Sequence, residues 1–255
     1  MDVIKYEVVG AIATITLNRP EARNAFNRAL RSELLAAIGK AEADEAVRIV
    51  ILQGEGRGFC AGADLSEKRY QPVDVQLETE YKPILLAIIE GQKIYIASVS
   101  GAAAGIGSAL AMSCDMMFMA EDAYIYLAFA AIGLVPDGGS NWHLLNKLGK
   151  VRAFETIVEA RKMPAAECLE LGIVNAVVPV EELKRYTLER AKKLALGAPL
   201  AQAAVKRLLR EAGSLSLAET MTAEAKEQKA LIESKDFQNA VKSFFEKRKP
   251  EFSGN

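Results

Sequence analysis

Residues 93–120 read KIYIASVSGAAAGIGSALAMSCDMMFMA, and the order of residue types in this stretch decides the fold. The run KIYIASV at 93–99 is β-branched and aromatic enough to spell a short strand. It ends at Gly101, after which small residues lead into a helix that begins around 105–108. A second apolar run, MMFMA at 116–120, follows, and YIYLAF at 124–129 comes directly after it as further extended chain. Strands that recur with helices between them argue for an α/β body in layers, with parallel components.

The same alternation extends upstream. Residues 2–9 and 11–17 favour extended structure about a turn at Gly10, and in ATITL the residues Ala13, Ile15 and Leu17 take one side while Thr14 and Thr16 take the other. Leu30, Leu34, Leu35 and Ile38 then form a stripe on a helix over 28–43, followed by the strand VRIVIL at 47–52. No identity repeat is visible along the chain.

Downstream of about 181 the pattern turns helical: EELKRYTLERAKKLAL, AQAAVKRLLREA, a stretch over 217–233 and another over 236–247. Ser216 with Glu219 has the spacing of a capping box. These helices read either as a cover for the α/β body or as a subunit interface, with Phe237, Phe244 and Phe245 available to both. The division expected is a core over 1–195 and a helical region over 196–255.

Composition narrows the function. The chain has 255 residues, 51% hydrophobic and 25% charged, enough to bury a substantial core. Its 32 basic and 33 acidic residues leave a formal charge of -1, so no overall basic field recruits nucleic acid or an anionic membrane. Cys60, Cys114 and Cys168 lie far apart, without CxxC spacing or histidine companions, and read as reduced core residues, neither a disulfide framework nor a metal site. The opening MDVIKYEVVG has no charged segment followed by a long apolar one, which makes a cytoplasmic enzyme the expectation.

Two glycine-rich segments are candidate backbone-binding loops, GRGFCAGADLSE at 56–67 and VSGAAAGIGSALAMSCD at 99–115. In the first, Gly58 and Gly62 bracket a tight crossing that turns the Ala63 N–H toward a ligand. In the second, Gly101, Gly105 and Gly107 precede a helix whose first N–H groups lack intrahelical acceptors. Without further information the two are equally well read as close backbone crossings. If their N–H groups converge, they suit one carbonyl oxygen that gains negative charge. The spacing GxxxGxG is not the dinucleotide fingerprint, and no GK[ST] phosphate loop is present, so nicotinamide chemistry and ATP hydrolysis are set aside.

Five segments spread over nearly the whole chain carry a specific resemblance: NRPEARNAFN, GRGFCAGADL, VSGAAAGIGSALAMSCD, IGLVPDGG and KSFFEKRKPEFSG. Through them the chain resembles the crotonase, or enoyl-CoA hydratase/isomerase, superfamily. The resemblance implies a spiral of repeated β-β-α turns and a helical C-terminal region that makes trimers, often stacked in pairs as hexamers. It implies an acyl-CoA substrate, no prosthetic group, and a thioester oxygen held by the N–H groups of Ala63 and Ile106. Coenzyme A contacts are implied at Arg23, Ala61, Ala63, Asp64, Leu65, Gly105 and Lys247, with Arg248 and Lys249 beside the last.

The chemistry left by the resemblance is restricted. The two glutamates with which hydratases of this superfamily activate water fall on Ala109 and Phe129, and neither residue transfers a proton. The remaining carboxylate is Asp137, at a position where related isomerases and a dehalogenase branch carry an acid. Read locally, Asp137 caps the following helix; read by resemblance, it carries a proton between acyl carbons. The segments GIGSALAM and FAAIGLVPDGGSNWHLLNKLG are similar to the 1,2-epoxyphenylacetyl-CoA isomerase branch, with Phe129, Ile106, Ile132 and Trp142 as candidate acyl-pocket walls. The expectation is therefore an acyl-CoA isomerase acting through Asp137. Weak hydration, an acyl-CoA dehalogenase or hydrolase, and a CoA-binding protein without catalysis are the alternatives. His143 reads as a packed or surface side chain, and Tyr70 and Tyr81 as ligand contacts or anchors of a cover.

Overall fold

The computed structural model describes residues 2–68 and 70–255. In chain order the strands are β1 (Ile4–Val9), β2 (Ile12–Leu17), β3 (Ile49–Gly54), β4 (Ile94–Val99), β5 (Ala102–Ala104), β6 (Met116–Ala120), β7 (Tyr124–Tyr126), β8 (Lys162–Pro164) and β9 (Ala176–Val178). The helices are α1 (Arg28–Ala43), α2 (Val73–Gln76), α3 (Lys82–Glu90), α4 (Ile106–Met112), α5 (Ser140–Val158), α6 (Ala165–Glu170), α7 (Leu183–Ala195), α8 (Pro199–Ala212), α9 (Leu217–Ile232) and α10 (Lys235–Phe245). A π-helical turn over Leu77–Tyr81 joins α2 to α3.

Six strands form one sheet in the order β1-β2-β3-β4-β6-β9, parallel except for the β1–β2 hairpin. A smaller sheet pairs β5, β7 and β8, and parallel bridges from Phe26 to Ala63 and from Cys60 to Ala103 extend its layer. Each turn of the chain thus sends one strand into the large sheet and the next into the small layer before a helix: β4, β5 and α4, then β6, β7 and α5. This is the crotonase-type spiral of β-β-α turns, an α/β fold with a helical C-terminal region.

Local chemistry accounts for the elements that frame the site. The Asn27 side chain accepts the Leu30 N–H at 2.9 Å and starts α1, whose Leu30, Leu34, Ile38 and Ala41 are buried against the hairpin and α3. The helix α4 is buried along its whole length, which its small side chains permit.

Thr16, on the other side of β2, is buried because α7 covers that face of the sheet; its hydroxyl accepts from Gln53 Nε2 at 3.0 Å. One expectation from residue pattern is corrected. The extended run at 124–129 stops at Tyr126, whose carbonyl accepts the Gly105 N–H at 2.9 Å, and the chain turns into a short 3-10 helix over Ala130–Ile132.

The C-terminal helices are docked by specific polar contacts. Lys206 on α8 donates to the carbonyls of Ile88 at 2.7 Å and Lys93 at 2.9 Å and to Asp115 Oδ2 at 2.9 Å. The Ser216–Glu219 capping box opens α9. Beyond α10, the N–H groups of Ser253 and Gly254 donate to the Asp236 carboxylate. Leu209, Leu217, Phe244 and Phe245 on these helices stand largely exposed. Among the described residues, no helix is long and apolar enough to cross a membrane, and no cluster of His, Cys, Asp or Glu is arranged to hold a metal ion.

Candidate active site

The loop over 56–67 is shaped by Asn24, which sits at a φ of 57° and is fully buried. Its Nδ2 donates to the carbonyls of Glu55 at 3.0 Å and Gly58 at 2.9 Å. Next to it, Phe26 N–H donates to Gly62 O at 2.7 Å and Phe26 O accepts the Asp64 N–H at 3.0 Å. These bonds fall on either side of Ala63, whose own N–H has no acceptor among the described residues.

A second unpartnered donor comes from the other glycine loop. Gly105 N–H donates to Tyr126 O, and Gly105 O accepts from Ser108 and Ala109, while the Ile106 N–H at the start of α4 has no acceptor among the described residues. Each donor follows a glycine at positive φ, 103° at Gly62 and 52° at Gly105. Only glycine takes such angles without strain, and here they turn the next N–H out of the layer. Ala63 and Ile106 both line one cavity of about 290 Å³, together with Gly62, Gly105, Phe129 and Asp137.

Asp137 marks a junction. With Leu77 and Tyr81 it lines this cavity and also a second one, of about 470 Å³, whose walls include Leu85, Leu86, Ile89, Trp142 and His143. The helix α5 begins after Gly139 with no side-chain cap, and only the backbone carbonyl of Asp137 engages it, accepting the Ser140 N–H at 3.0 Å. The capping reading of the carboxylate is thereby corrected: two glycines at positive φ, Gly138 and Gly139, turn the chain into the helix and free the acid for the cavity. Its Oδ1 is buried with no hydrogen-bond partner, and burial pushes the carboxyl up to about 6.

The surroundings hold no second proton carrier at the positions implied for hydratase glutamates. Ala109 is fully buried, and its Cβ would stand 2.8 Å from a Cβ built on Gly138, so the Asp137 turn lies directly against it. Phe129 is part of the cavity wall. His143 is buried, with Nε2 3.4 Å from Ser113 Oγ; burial pushes it down to about 4, which leaves it neutral at neutral pH.

Of the residues implied to meet coenzyme A, Ala61, Ala63, Asp64, Leu65 and Gly105 are brought together on the first cavity. Asp64 is held by Ser66 and, at 3.0 Å, by Arg19; the Ser66 and Arg19 hydrogen bonds keep its carboxyl below the usual range. Arg23 is exposed outside the cavity, joined to it by its carbonyl, which accepts the Ala61 N–H at 3.0 Å. Lys247 lies in the turn after α10 and lines neither cavity.

Sequence reading missed Arg31. It stands three, four and seven residues before Leu34, Leu35 and Ile38, on the apolar stripe of α1, yet its side chain is 2% exposed. A charge at that position of a buried stripe is the signal that would have found it.

Comparison with known proteins identifies the family. The profile of the enoyl-CoA hydratase/isomerase family matches residues 7–255. A probable enoyl-CoA hydratase of Rhodobacter capsulatus is 38% identical over 253 residues, 98% of each chain. The 1,2-epoxyphenylacetyl-CoA isomerase of Escherichia coli is 31% identical over 100% of this chain and 99% of its own. The crystal structure of an enoyl-CoA hydratase from Bacillus anthracis superposes with a TM-score of 0.94 at 29% identity, covering 99% of this chain and 100% of that one. The chain belongs to the enoyl-CoA hydratase/isomerase, or crotonase, family, whose chemistry acts on CoA thioesters.

Proposed function

We propose that this protein is an acyl-CoA isomerase that moves a carbon–carbon double bond, with Asp137 as the proton carrier. The observation that carries the reading is the desolvated Asp137 carboxylate, its Oδ1 buried without a hydrogen-bond partner among the described residues, on the same cavity as the unpartnered N–H groups of Ala63 and Ile106. The Asp137 carboxylate removes a proton from C2 of a 3-enoyl thioester. The electron pair passes onto the thioester oxygen, where the two N–H donors stabilise the dienolate. Protonated Asp137 then returns the proton to C4 as the double bond forms between C2 and C3. Atoms and charge balance without water or a cofactor.

Ala109 and Phe129 in place of proton-transferring residues favour isomerisation over hydration. Coenzyme A would lie along Ala61, Ala63, Asp64, Leu65 and Gly105, with Arg23 at the edge. Lys247 would reach it from a neighbouring subunit of a trimer, for which the exposed Phe244 and Phe245 are candidate contacts. A second reading is isomerisation of a ring-epoxidised phenylacetyl-CoA, favoured by the aromatic walls Phe129 and Trp142 and by the similarity to the Escherichia coli isomerase.

The test is a panel of straight-chain 3-enoyl-CoA and ring-epoxide substrates with product identification, in wild type and Asp137→Asn. Loss of isomerised product in Asp137→Asn is expected, and the substrate that turns over decides between the two readings. Hydrated product formed independently of Asp137 overturns both.

A further inference from the structure

The Arg31 guanidinium is enclosed between α1 and the segment that runs from Asp64 to α3, where a charge is tolerated only if its donors are answered. Nη1 donates to Phe26 O and to Tyr81 Oη, each at 3.1 Å. Nη2 donates to Glu67 Oε2 at 2.8 Å and Nε to Glu80 Oε2 at 2.6 Å. The guanidinium carbon also stands 5.0 Å from the centre of the Tyr81 ring.

Three of these partners belong to the site, Glu67 as part of the first cavity's wall. Phe26 is the residue whose N–H and carbonyl hold Gly62 and Asp64, on either side of the Ala63 donor. Tyr81 stacks on the Phe26 ring, with centroids 6.1 Å apart, and forms the wall that both cavities share with Asp137. Glu80 and Tyr81 lie in the π-helical turn, an irregularity that recurs at functional sites. One planar fork therefore fixes both the peptide that aims a donor and the ring beside the acid. A lysine has a single point of charge and spans fewer of these acceptors; a methionine spans none.

We propose that Arg31 is a positioning residue for the thioester reaction. It holds the Ala63 N–H and the Tyr81 ring in one register, so that the carbonyl oxygen and the reacting carbons are presented together. The assignment rests on the isomerase reading only for which carbons face Asp137, and Arg31 itself does not touch substrate.

The experiment compares wild type, Arg31→Met, Arg31→Lys and Asp137→Asn, with thermal melting to establish that each is folded. One readout is steady-state turnover of a 3-enoyl-CoA. The other is the absorption band of bound 4-dimethylaminocinnamoyl-CoA, which moves to longer wavelength when its thioester carbonyl is polarised. Arg31→Met is expected to lose about ten-fold or more in kcat with KM changed little, and to lose most of the band shift. Arg31→Lys is expected between it and wild type, and it carries the test alone if Arg31→Met does not fold.

A folded Arg31 variant with wild-type kcat and the full band shift overturns the assignment, as does a loss confined to KM. A lowered melting temperature with an unmoved band also does so, since a merely structural role would give that result. If Asp137→Asn keeps its turnover while Arg31→Met loses the shift, the isomerase reading fails and the role of Arg31 stands. A wild-type protein that leaves the band unshifted removes both.

Discussion

A Cβ atom built on Gly105 would stand 3.6 Å from the Cα of Gly62, so the glycines that precede the two unpartnered N–H groups meet backbone to backbone. The spacing between the donors of Ala63 and Ile106 is therefore set by main chain alone. A Cβ on Gly62 would approach Ala104 O to 3.1 Å, at a φ that side chains rarely adopt.

Gly62→Ala is expected to cost about 1–3 kcal/mol in urea unfolding, the range of a strained backbone position. The proposed reaction also predicts that the variant lowers kcat more than it raises KM, because the donors assigned to the developing oxyanion separate. Gly10→Ala is the control, since Gly10 also has a positive φ, 59°, in the β1–β2 turn but with open space around it. It should lose stability and keep its activity. Equal loss of activity in the two variants would mean that the apposition of Gly62 and Gly105 has no functional consequence.

The buried Asp137 carboxyl gives a prediction with a defined sign. Its folded-state value, about 6, lies above the ordinary 3.8. Between these two pH values the folded chain keeps a proton that the unfolded chain has released, so stability falls as pH rises through the window and stays lowered above it. Asp137→Asn has no such dependence. Its melting temperature should exceed wild type at neutral pH, and the advantage should shrink toward pH 4. In the proposed reaction the acting form of Asp137 is the carboxylate, so that reaction predicts turnover by wild type rising with pH through about 6. A melting difference that does not change with pH would show that the carboxyl is not desolvated.

The sequence was most legible where one periodicity ran long enough to read. The stripe of Leu30, Leu34 and Ile38 gave α1, and KIYIASV gave β4 within one residue. The repeat of the spiral was not legible, because β5, β7 and β8 are three residues each and leave no period to detect. Glycine spacing marked both donor loops, but their convergence depends on the bridges from Cys60 to Ala103 and from Phe26 to Ala63, which join residues remote in sequence. Asp137 was found through motif resemblance, while its freedom from capping follows from the two left-handed glycines after it. Arg31 escaped notice because an apolar stripe is counted by its hydrophobic members.

The same dependence on remote partners makes the docking of α8 testable. Lys206 is 7% exposed and Asp115 25%, and Asp115 Oδ2 also accepts the Tyr95 N–H at 2.8 Å. Burial raises the Asp115 carboxyl while the Lys206 ammonium opposes that rise. Removing the ammonium leaves the partly exposed carboxylate with backbone donors alone and takes one buried donor from the Ile88 and Lys93 carbonyls. Lys206→Met is therefore expected to destabilise by about 1–2 kcal/mol, the scale for carbonyls that lose a buried donor beside a partly exposed ion pair. Asp115→Asn in the same background should recover part of that loss, because the stranded charge is gone, giving a coupling of about 1 kcal/mol or more in a double-mutant cycle. Urea unfolding of the four proteins checks the cycle, and strictly additive losses would mean that the two side chains do not hold α8 as a pair.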